Sequence, residues 1–171
     1  DKRIYAAGLT VMIKKRFVVY NSFSQNPFEG NSAAVFPDAD DISDTQMQQI
    51  ARQMNLVESV FIQKPASNDS FCSMRYFTPS KELPITGHPT IAAWTYLRDD
   101  MKLPLGKNHF KQETKAGVID IKLVNGMIFC SQISPKIRII DGSAQENIAL
   151  TLHLDVSDIR NDVPVAMVDA G

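Results

Sequence analysis

One segment, PTIAAWTYL at residues 89–97, constrains the fold of this chain more than any other part of the sequence. Helix-forming residues dominate it, and apolar side chains would occur on nearly every side of the helix. A helix that is apolar all round is normally buried in the middle of a domain. The sequence therefore predicts a central helix that the other elements of its domain enclose.

A glycine and a histidine directly precede this helix. Proline is common at the first position of a helix, so Pro89 predicts that His88 lies at about the N-cap and Gly87 just before it. The amides of a first helical turn have no partners within the helix and form a ready site for an anion. The spacing alone fits equally well a structural role, in which Gly87 makes a tight turn and His88 only caps the helix.

Strand patterns surround two further helix patterns. Runs rich in β-branched and aromatic residues predict strands at 16–23, 33–36, 57–64, 71–77 and 163–171, and 109–133 reads as a strand, an Asn125-Gly126 hairpin turn and another strand. Capping boxes predict the helices, Ser43 with Gln46 for residues 43–55 and Ser143 with Glu146 for residues 144–154. Because strands and helices do not alternate regularly, we expect an α+β fold with a mixed or largely antiparallel sheet.

The composition is that of an ordinary soluble protein. The chain has 171 residues, a net charge of −1, 44% hydrophobic residues and 22% charged residues, enough for one domain or slightly more. This charge gives no electrostatic basis for binding nucleic acid or an anionic membrane. The longest apolar runs are shorter than the ~20 residues that span a bilayer. We therefore expect no nucleic-acid partner and no membrane partner.

The cysteines and histidines indicate neither a disulfide framework nor a metal site. Cys72 and Cys130 each lie in a run that alternates like a strand, so we interpret both as small buried hydrophobes. That usage fits the reducing cytoplasm. His88, His109 and His153 are far apart, and the acidic residues show no ligand spacing. Since phosphate-loop and dinucleotide motifs are missing as well, we expect no metal and no cofactor.

The two ends of the sequence suggest its domain organisation. Met12 resembles a natural start, so residues 1–11 are interpreted as a tag remnant or an upstream extension. Residues 12–134 would form the first domain. The strand pattern gives way near Pro135, so residues 135–171 would form a linker and the beginning of a truncated second domain. We expect the chain to be a fragment of a longer protein.

Two glutamates are candidates for proton transfer. Glu58 occurs in the strand pattern NLVESVF, where a carboxylate more often faces solvent, because alternate side chains point to opposite faces. If that face is enclosed, the carboxylate could act as a general acid or base. Glu82, in KELPITGH, is the other candidate, and its local sequence favours a charge on a surface loop.

Four segments resemble, in the same order, motifs of the phenazine-biosynthesis isomerase family (PhzF-like proteins), which has the diaminopimelate-epimerase fold. They are FEGNSAAVF (28–36), MQQIARQMNLVESVFI (47–62), RYFTPSKELPITGHPTIAAW (75–94) and AGVIDIKLVNG (116–126). The resemblance spans residues 13–171. It implies two similar domains, each a mixed barrel-like sheet wrapped around a central helix, with the active site between them. This chain would hold the first domain and the start of the second.

The resemblance also implies roles for individual residues. Glu58 would be the catalytic acid/base. The residues that would contact the substrate are His88, Gly87, Asn31, Ser59 and Pro89. Val57 and Ser32 depart from the family's motifs, which have serine before the glutamate and proline after the Gly-Asn pair. The aspartate and serine that the family's second domain contributes have no counterpart in this chain.

Thr86 decides between two branches of this superfamily. Members that racemise or epimerise amino acids have a cysteine directly before the Gly-His or Gly-Asn pair, because two thiols exchange the proton. A threonine hydroxyl is far too weak a base for that task, so a two-cysteine racemase is disfavoured.

The resemblance thus implies a cofactor-independent isomerase that moves a proton on a small cyclic or carboxylated substrate. It also implies a homodimer. One alternative is a noncatalytic protein that keeps the fold and binds a small molecule or a partner. Another is that these 171 residues are the whole protein, in which case two chains would rebuild the cleft as a dimer.

Overall fold

The computed structural model describes residues 14–26, 28–100, 103–132, 134–160 and 162–169. The chain divides into two compact units, the first ending at Cys130 and the second beginning at Ser131. The predicted extension at residues 1–11, together with Met12, lies outside the described residues.

The first unit is built on one mixed sheet. Its described elements, in chain order, are β1 (Val18–Ser22), β2 (Asn31–Phe36), α1 (Asp44–Met54), β3 (Glu58–Gln63), β4 (Cys72–Phe77), β5 (Glu82–Leu83), α2 (Gly87–Asp99), β6 (His109–Thr114), β7 (Gly117–Val124) and β8 (Met127–Cys130). The strand order is β1-β2-β3-β4-β6-β7-β8, with β5 paired to β4. β2 with β3 and β4 with β6 are parallel pairs, and the other neighbours are antiparallel.

Helix α2 lies inside the curve of this sheet. It contacts β1, β2 and β3 at one end of the strand order and β8 at the other end, so the sheet must curl around it. Ala92, Ala93 and Trp94 are at most 1% exposed and form the centre of the larger apolar core. The predicted central helix and the predicted α+β fold with a mixed, barrel-like sheet are both confirmed.

Helix α1 covers the opposite face of the sheet, as its sequence predicts. The Gln46 amide donates to Ser43 Oγ (3.3 Å), and the Ser43 amide donates to Gln46 Oε1 (3.0 Å), which confirms the capping box. Met47 packs with Phe61 of β3 in the smaller apolar core. Val60, the neighbour of Phe61, belongs instead to the core around α2. Alternate β3 side chains therefore point to opposite faces.

The sheet contains one turn that the strand pattern conceals. The predicted Asn125-Gly126 hairpin is confirmed, since both residues have positive φ angles of 51° and 79°. The stretch before it, however, is two antiparallel strands, β6 and β7, and not one. In the turn between β6 and β7, Thr114 Oγ1 donates to the Gly117 carbonyl (2.8 Å), and Gly117 adopts a φ angle of 120°, which favours glycine.

The second unit contains a small hairpin and a helix. Its described elements are β9 (Lys136–Ile139), α3 (Gly142–Thr151), one turn of 3₁₀ helix (Val156–Asp158) and β10 (Ala166–Asp169), with β9 and β10 antiparallel. The capping box predicted for Ser143 is wrong. Asp141 is the N-cap and accepts the Ala144 amide, while Ser143 donates its hydroxyl to Asp141. An aspartate two residues earlier therefore starts the helix, because its carboxylate reaches the free amides first.

The buried thiol of the first unit behaves as a small apolar side chain. Cys72 is 4% exposed, and burial, with a contribution from the charge of Glu113, raises its pKa to about 12. Cys130 is half-buried, and burial raises its pKa also. Neither cysteine forms a disulfide. No helix of the described residues is long and apolar enough to cross a membrane.

Candidate active site

Three strand ends meet the first turn of α2. Ser22, at the end of β1, pairs with Asn31, at the start of β2, and Ala33 pairs with Glu58, at the start of β3. Ala33 belongs to the core around α2, so strand alternation turns Asn31 to the same face. Ser22 Oγ donates to the His88 carbonyl (2.8 Å), which ties this edge of the sheet to the helix.

The helix begins two residues earlier than its proline suggests. Gly87 is the first helical residue and Thr86 is the N-cap, so the prediction that His88 lies at the N-cap is wrong. Proline is tolerated throughout the first turn, where an N–H has no intrahelical partner, and Pro89 occupies its third position. The amides of Gly87 and His88 therefore remain available at the start of α2. A side-chain cap for them is missing, because Thr86 makes no capping hydrogen bond.

Buried polar atoms without a hydrogen-bond partner are concentrated at this place. Among the described residues they are Glu58 Oε2, Ser59 Oγ, Thr86 Oγ1 and His88 Nε2. Such atoms are rare in proteins because each costs about 1–3 kcal/mol. Three of the four, all except Ser59 Oγ, belong to residues at the start of α2 or facing it, Glu58, Thr86 and His88. A site that binds a polar ligand accounts for this concentration, since the ligand would supply the partners.

Glu58 and His88 interact electrostatically. The His88 side chain is 8% exposed, and its burial lowers the pKa of the imidazole from its ordinary value of 6.5. The negative charge of Glu58 and a hydrogen bond to the backbone of Ser32 act in the opposite direction, but burial dominates. The imidazole is therefore predominantly neutral near pH 7, and a neutral ring can offer one nitrogen as donor and the other as acceptor.

This environment predicts that His88 makes stability depend on pH. Because folding lowers its pKa, the unfolded chain binds more protons than the folded chain just below pH 6.5. The stability that the neutral ring contributes is complete above that pH and is lost as the pH falls through the folded-state pKa. We expect the melting temperature of the wild type to fall between pH 7 and pH 5 more steeply than that of His88→Asn, with urea unfolding as a second measure.

The matched control for this experiment is His109→Gln, which removes an exposed histidine paired with Asp120 (3.0 Å). The melting temperature of His109→Gln should fall between pH 7 and pH 5 as steeply as that of the wild type, and more steeply than that of His88→Asn. Parallel pH profiles for the wild type and His88→Asn would contradict the assignment.

The structure brings some predicted site residues together and separates others. Asn31, Glu58, Gly87 and His88 surround the start of α2, as the preceding contacts show. Ser59 is 1% exposed, but strand alternation turns its side chain to the face of Phe61 and α1, away from Glu58. Pro89 is fully buried within the domain. The predicted contacts of Ser59 and Pro89 with a substrate gain no support from these side-chain positions.

Glu82, the other candidate carboxylate, is part of an ion-pair cluster. Arg75 donates from Nε to Glu82 Oε1 (2.7 Å) and from a second nitrogen to Oε2 (2.9 Å), and Lys115 also contacts this carboxylate. Burial acts to raise the pKa of Glu82, but the hydrogen bonds from the two cations outweigh it, so the pKa is lowered. Glu82 lies in β5 with 16% of its side chain exposed, so the interpretation as a loop surface charge is wrong.

Ser22 is the site residue that the sequence did not indicate. A serine at the end of a strand is as typical of a turn as of a binding site, and its bond to His88 spans 66 residues of sequence. As for metals, the described residues include no group of three or more histidine, cysteine or acidic side chains placed to hold an ion.

A mixed sheet curled around one buried helix places the chain in the epimerase-like class of α+β folds. Within that class, the family model for the phenazine biosynthesis-like proteins (PhzC-PhzF) matches residues 20–171. The chain belongs to this family.

Individual relatives and a solved structure agree with this assignment. An uncharacterized isomerase of Pasteurella multocida is 36% identical over 152 residues, 88% of this chain and 50% of that protein. Trans-2,3-dihydro-3-hydroxyanthranilate isomerase of Pseudomonas aeruginosa is 37% identical over 123 residues, 70% of this chain and 42% of that enzyme. The crystal structure of a PhzF-family protein from Bacillus anthracis superposes with a TM-score of 0.73 at 31% identity, covering 94% of this chain and 54% of that one. The chain spans about half the length of the curated relatives it matches.

Proposed function

We propose that this chain supplies the proton-transfer residue of a cofactor-independent isomerase of the phenazine-biosynthesis type. One observation carries the proposal: the carboxylate oxygen Glu58 Oε2 is buried and unpaired, and the charge of Glu58 acts on the His88 ring, whose Nε2 is also buried and unpaired. A buried carboxylate oxygen without a partner is costly to maintain, and a proton-transfer role explains why it is kept. The names of the relatives, which are isomerases, support the same reaction class.

In the proposed reaction, Glu58 acts as a base and then as an acid. Its carboxylate takes a proton from one carbon of the substrate, and the electron pair of the broken C–H bond shifts through an adjacent double bond. Glu58 then returns the proton to a different carbon, so that no atom is gained or lost. Because the protein's own side chain holds the proton between the two steps, this isomerisation needs no cofactor.

The start of α2 would hold the negative charge that the substrate carries or develops. The amides of Gly87 and His88 and the Thr86 hydroxyl are donors in one small region. The helix dipole adds to their effect, by ~0.3–1 kcal/mol at an exposed site and more when the site is enclosed. Open space adjoins Gly87, since a Cβ built on it would meet no atom within 4 Å apart from its chain neighbours and the backbone of its own helix.

The substrate class that fits these donors is a small cyclic or carboxylated metabolite. The relative from Pseudomonas aeruginosa is named for trans-2,3-dihydro-3-hydroxyanthranilate, which is such a compound and is the first candidate to test. We also propose, as the family resemblance implies, that the native protein acts in the cytoplasm as a homodimer.

Deuterium exchange tests the function directly. The native protein is incubated in deuterated water with this compound and with a panel of cyclic amino acids and hydroxy acids. We expect deuterium to enter one compound at carbon, as detected by mass spectrometry, because the proton held by Glu58 can exchange with solvent between the two steps. A compound that binds in calorimetry yet gives neither label nor isomer would instead favour the noncatalytic binding protein.

A further inference from the structure

A chain of buried hydrogen bonds leads through the core to the start of α2. Trp94 Nε1 donates to Gln112 Oε1, and Gln112 Nε2 donates to the Tyr76 hydroxyl, each at 2.6 Å. The Tyr76 hydroxyl and Thr90 Oγ1 are also 2.6 Å apart. Thr90 Oγ1 then donates to the backbone carbonyl of Thr86 at 2.6 Å. The first four residues are all at most 1% exposed.

The direction of every bond in this chain is determined. The indole of Trp94 can only donate, so Gln112 must present its oxygen to it and its amino group to Tyr76. The single hydroxyl proton of Thr90 is used on the Thr86 carbonyl, so in the remaining bond Tyr76 donates and Thr90 accepts. Burial raises the pKa of Tyr76, against the effect of its bonds to Thr90 and Gln112, so this hydroxyl keeps its proton. All the donors thus point the same way, and aligned bonds strengthen one another.

The last acceptor belongs to the same peptide unit as the Gly87 amide. The peptide bond is planar and trans, so fixing the direction of the Thr86 carbonyl also fixes the opposite direction of the Gly87 N–H. A carbonyl that accepts a hydrogen bond also polarises its amide, which makes the N–H a stronger donor. That N–H is at the first position of α2, ahead of the first intrahelical bond.

We infer that Thr90, backed by Tyr76 and Gln112, is a positioning residue that orients and polarises the Gly87 amide as a donor to the substrate. This role rests on the proposed function for its kinetic consequence, but its structural consequence can be measured without substrate. Thr90 touches no reacting atom and acts through the Thr86–Gly87 peptide. Ser22 complements it by holding the carbonyl of His88, two residues further along the chain.

Two substitutions of Thr90 separate positioning from packing. Thr90→Val keeps the shape of the side chain and loses the hydroxyl, whereas Thr90→Ser keeps the hydroxyl and loses a methyl group. If Thr90 serves only to fill the core, Val is the milder change. If it positions the peptide, Ser is the milder change for the Gly87 amide and for turnover, although Ser costs more packing.

The first readout is the NMR signal of the Gly87 amide in the native protein without substrate. We expect Thr90→Val to shift its proton resonance and to speed its exchange with solvent, and Thr90→Ser to leave both near the wild-type values. The control is Thr95→Val, the same substitution five residues further along α2, which should leave the Gly87 signal unchanged. An unshifted Gly87 signal in Thr90→Val would overturn the inference, whatever the activity of the protein.

The second readout is steady-state kinetics with whichever substrate the exchange experiment identifies. We expect kcat of Thr90→Val to fall by about 10- to 100-fold with little change in KM, because the oriented amide matters most for charge that develops in the transition state. Equal kcat for Thr90→Val and Thr90→Ser would overturn the kinetic role. A wild type without turnover would contradict the proposed function and leave the NMR result to decide the positioning.

Discussion

Replacing Glu58 with glutamine is expected to lower the turnover number by about 100- to 10,000-fold, the range that general acid–base catalysis contributes. Glutamine has nearly the same shape as glutamate and can still form hydrogen bonds, but it cannot accept a proton from carbon. The deuterium label should therefore disappear together with turnover, while binding of the substrate, measured by calorimetry, should change much less. The measurements are the rate of label incorporation and kcat under saturating substrate.

The matched control is the same change at another half-buried glutamate, Glu82→Gln. It weakens the ion pairs with Arg75 and Lys115, so it should lower the melting temperature, but the folded protein should turn over at the wild-type rate. Glu58→Gln should show the opposite combination, with a nearly unchanged melting temperature and no turnover. Full activity in Glu58→Gln would refute the proposed role, and loss of activity only in Glu82→Gln would move the role to that carboxylate.

Much of the fold could be predicted because local signals agree with the tertiary structure. The apolar helix at 89–97 had to be buried, and it is the helix around which the sheet curls. The capping box at Ser43 and the Asn-Gly turn at 125–126 are short-range signals with a direct backbone cause, and both are observed. The turn between β6 and β7 was missed because its threonine and glycine lie within an otherwise continuous strand pattern.

The errors at helix starts have a single cause. At α2 the proline led to a start two residues too late, and at α3 the serine was chosen although Asp141 caps the helix. Proline and serine are compatible with several positions in a first turn, so their presence does not fix the register. Only the distances between side chains and free amides decide which residue is the cap.

The candidate site was predictable in its members but not in its arrangement. Glu58 and His88 were identified as candidates, yet the sequence fits an exposed strand carboxylate and a simple helix cap just as well. The structure adds that Glu58 Oε2 and His88 Nε2 are buried and unpaired, and that the two residues interact. Local sequence could not show this, because the pairing of β2 with β3 and the bond from Ser22 to His88 connect distant parts of the chain.

Local sequence also fails to predict the burial of Gln112, the member of the buried hydrogen-bond chain that is furthest from the other members in sequence. Gln112 lies in β6, where a polar residue in an alternating strand pattern would be assigned to the solvent face. It is instead 0% exposed, because its amide pairs with Trp94 on one side and Tyr76 on the other. A buried polar group is tolerated when all its hydrogen bonds are made, and it then fixes one packing arrangement.

Gln112→Leu is accordingly expected to destabilise the first unit by about 2–4 kcal/mol, although it places a more apolar side chain in the core. Leucine has a similar size, so the loss does not come from a cavity. It comes from the indole N–H of Trp94, which is left buried without an acceptor, and from Tyr76, which loses a donor. The free energy of unfolding is measured with urea and followed by the fluorescence of the single tryptophan, Trp94, which loses its hydrogen-bond acceptor in this variant.

Two further variants make this result specific to the hydrogen bonds. Gln53→Leu is the same substitution at an exposed position on α1 and should change the free energy of unfolding by less than about 0.5 kcal/mol. Adding Trp94→Phe to Gln112→Leu removes the unpaired N–H, so the double variant should lose less stability than the sum of the two single variants, with circular dichroism as the probe because Trp94→Phe removes the single tryptophan. Additive losses, or a Gln112→Leu protein as stable as the wild type, would show that the buried chain contributes no net stability. In that case the same hydrogen bonds could still orient the Gly87 peptide, since the direction of a donor and the stability of the fold are separate consequences of one network.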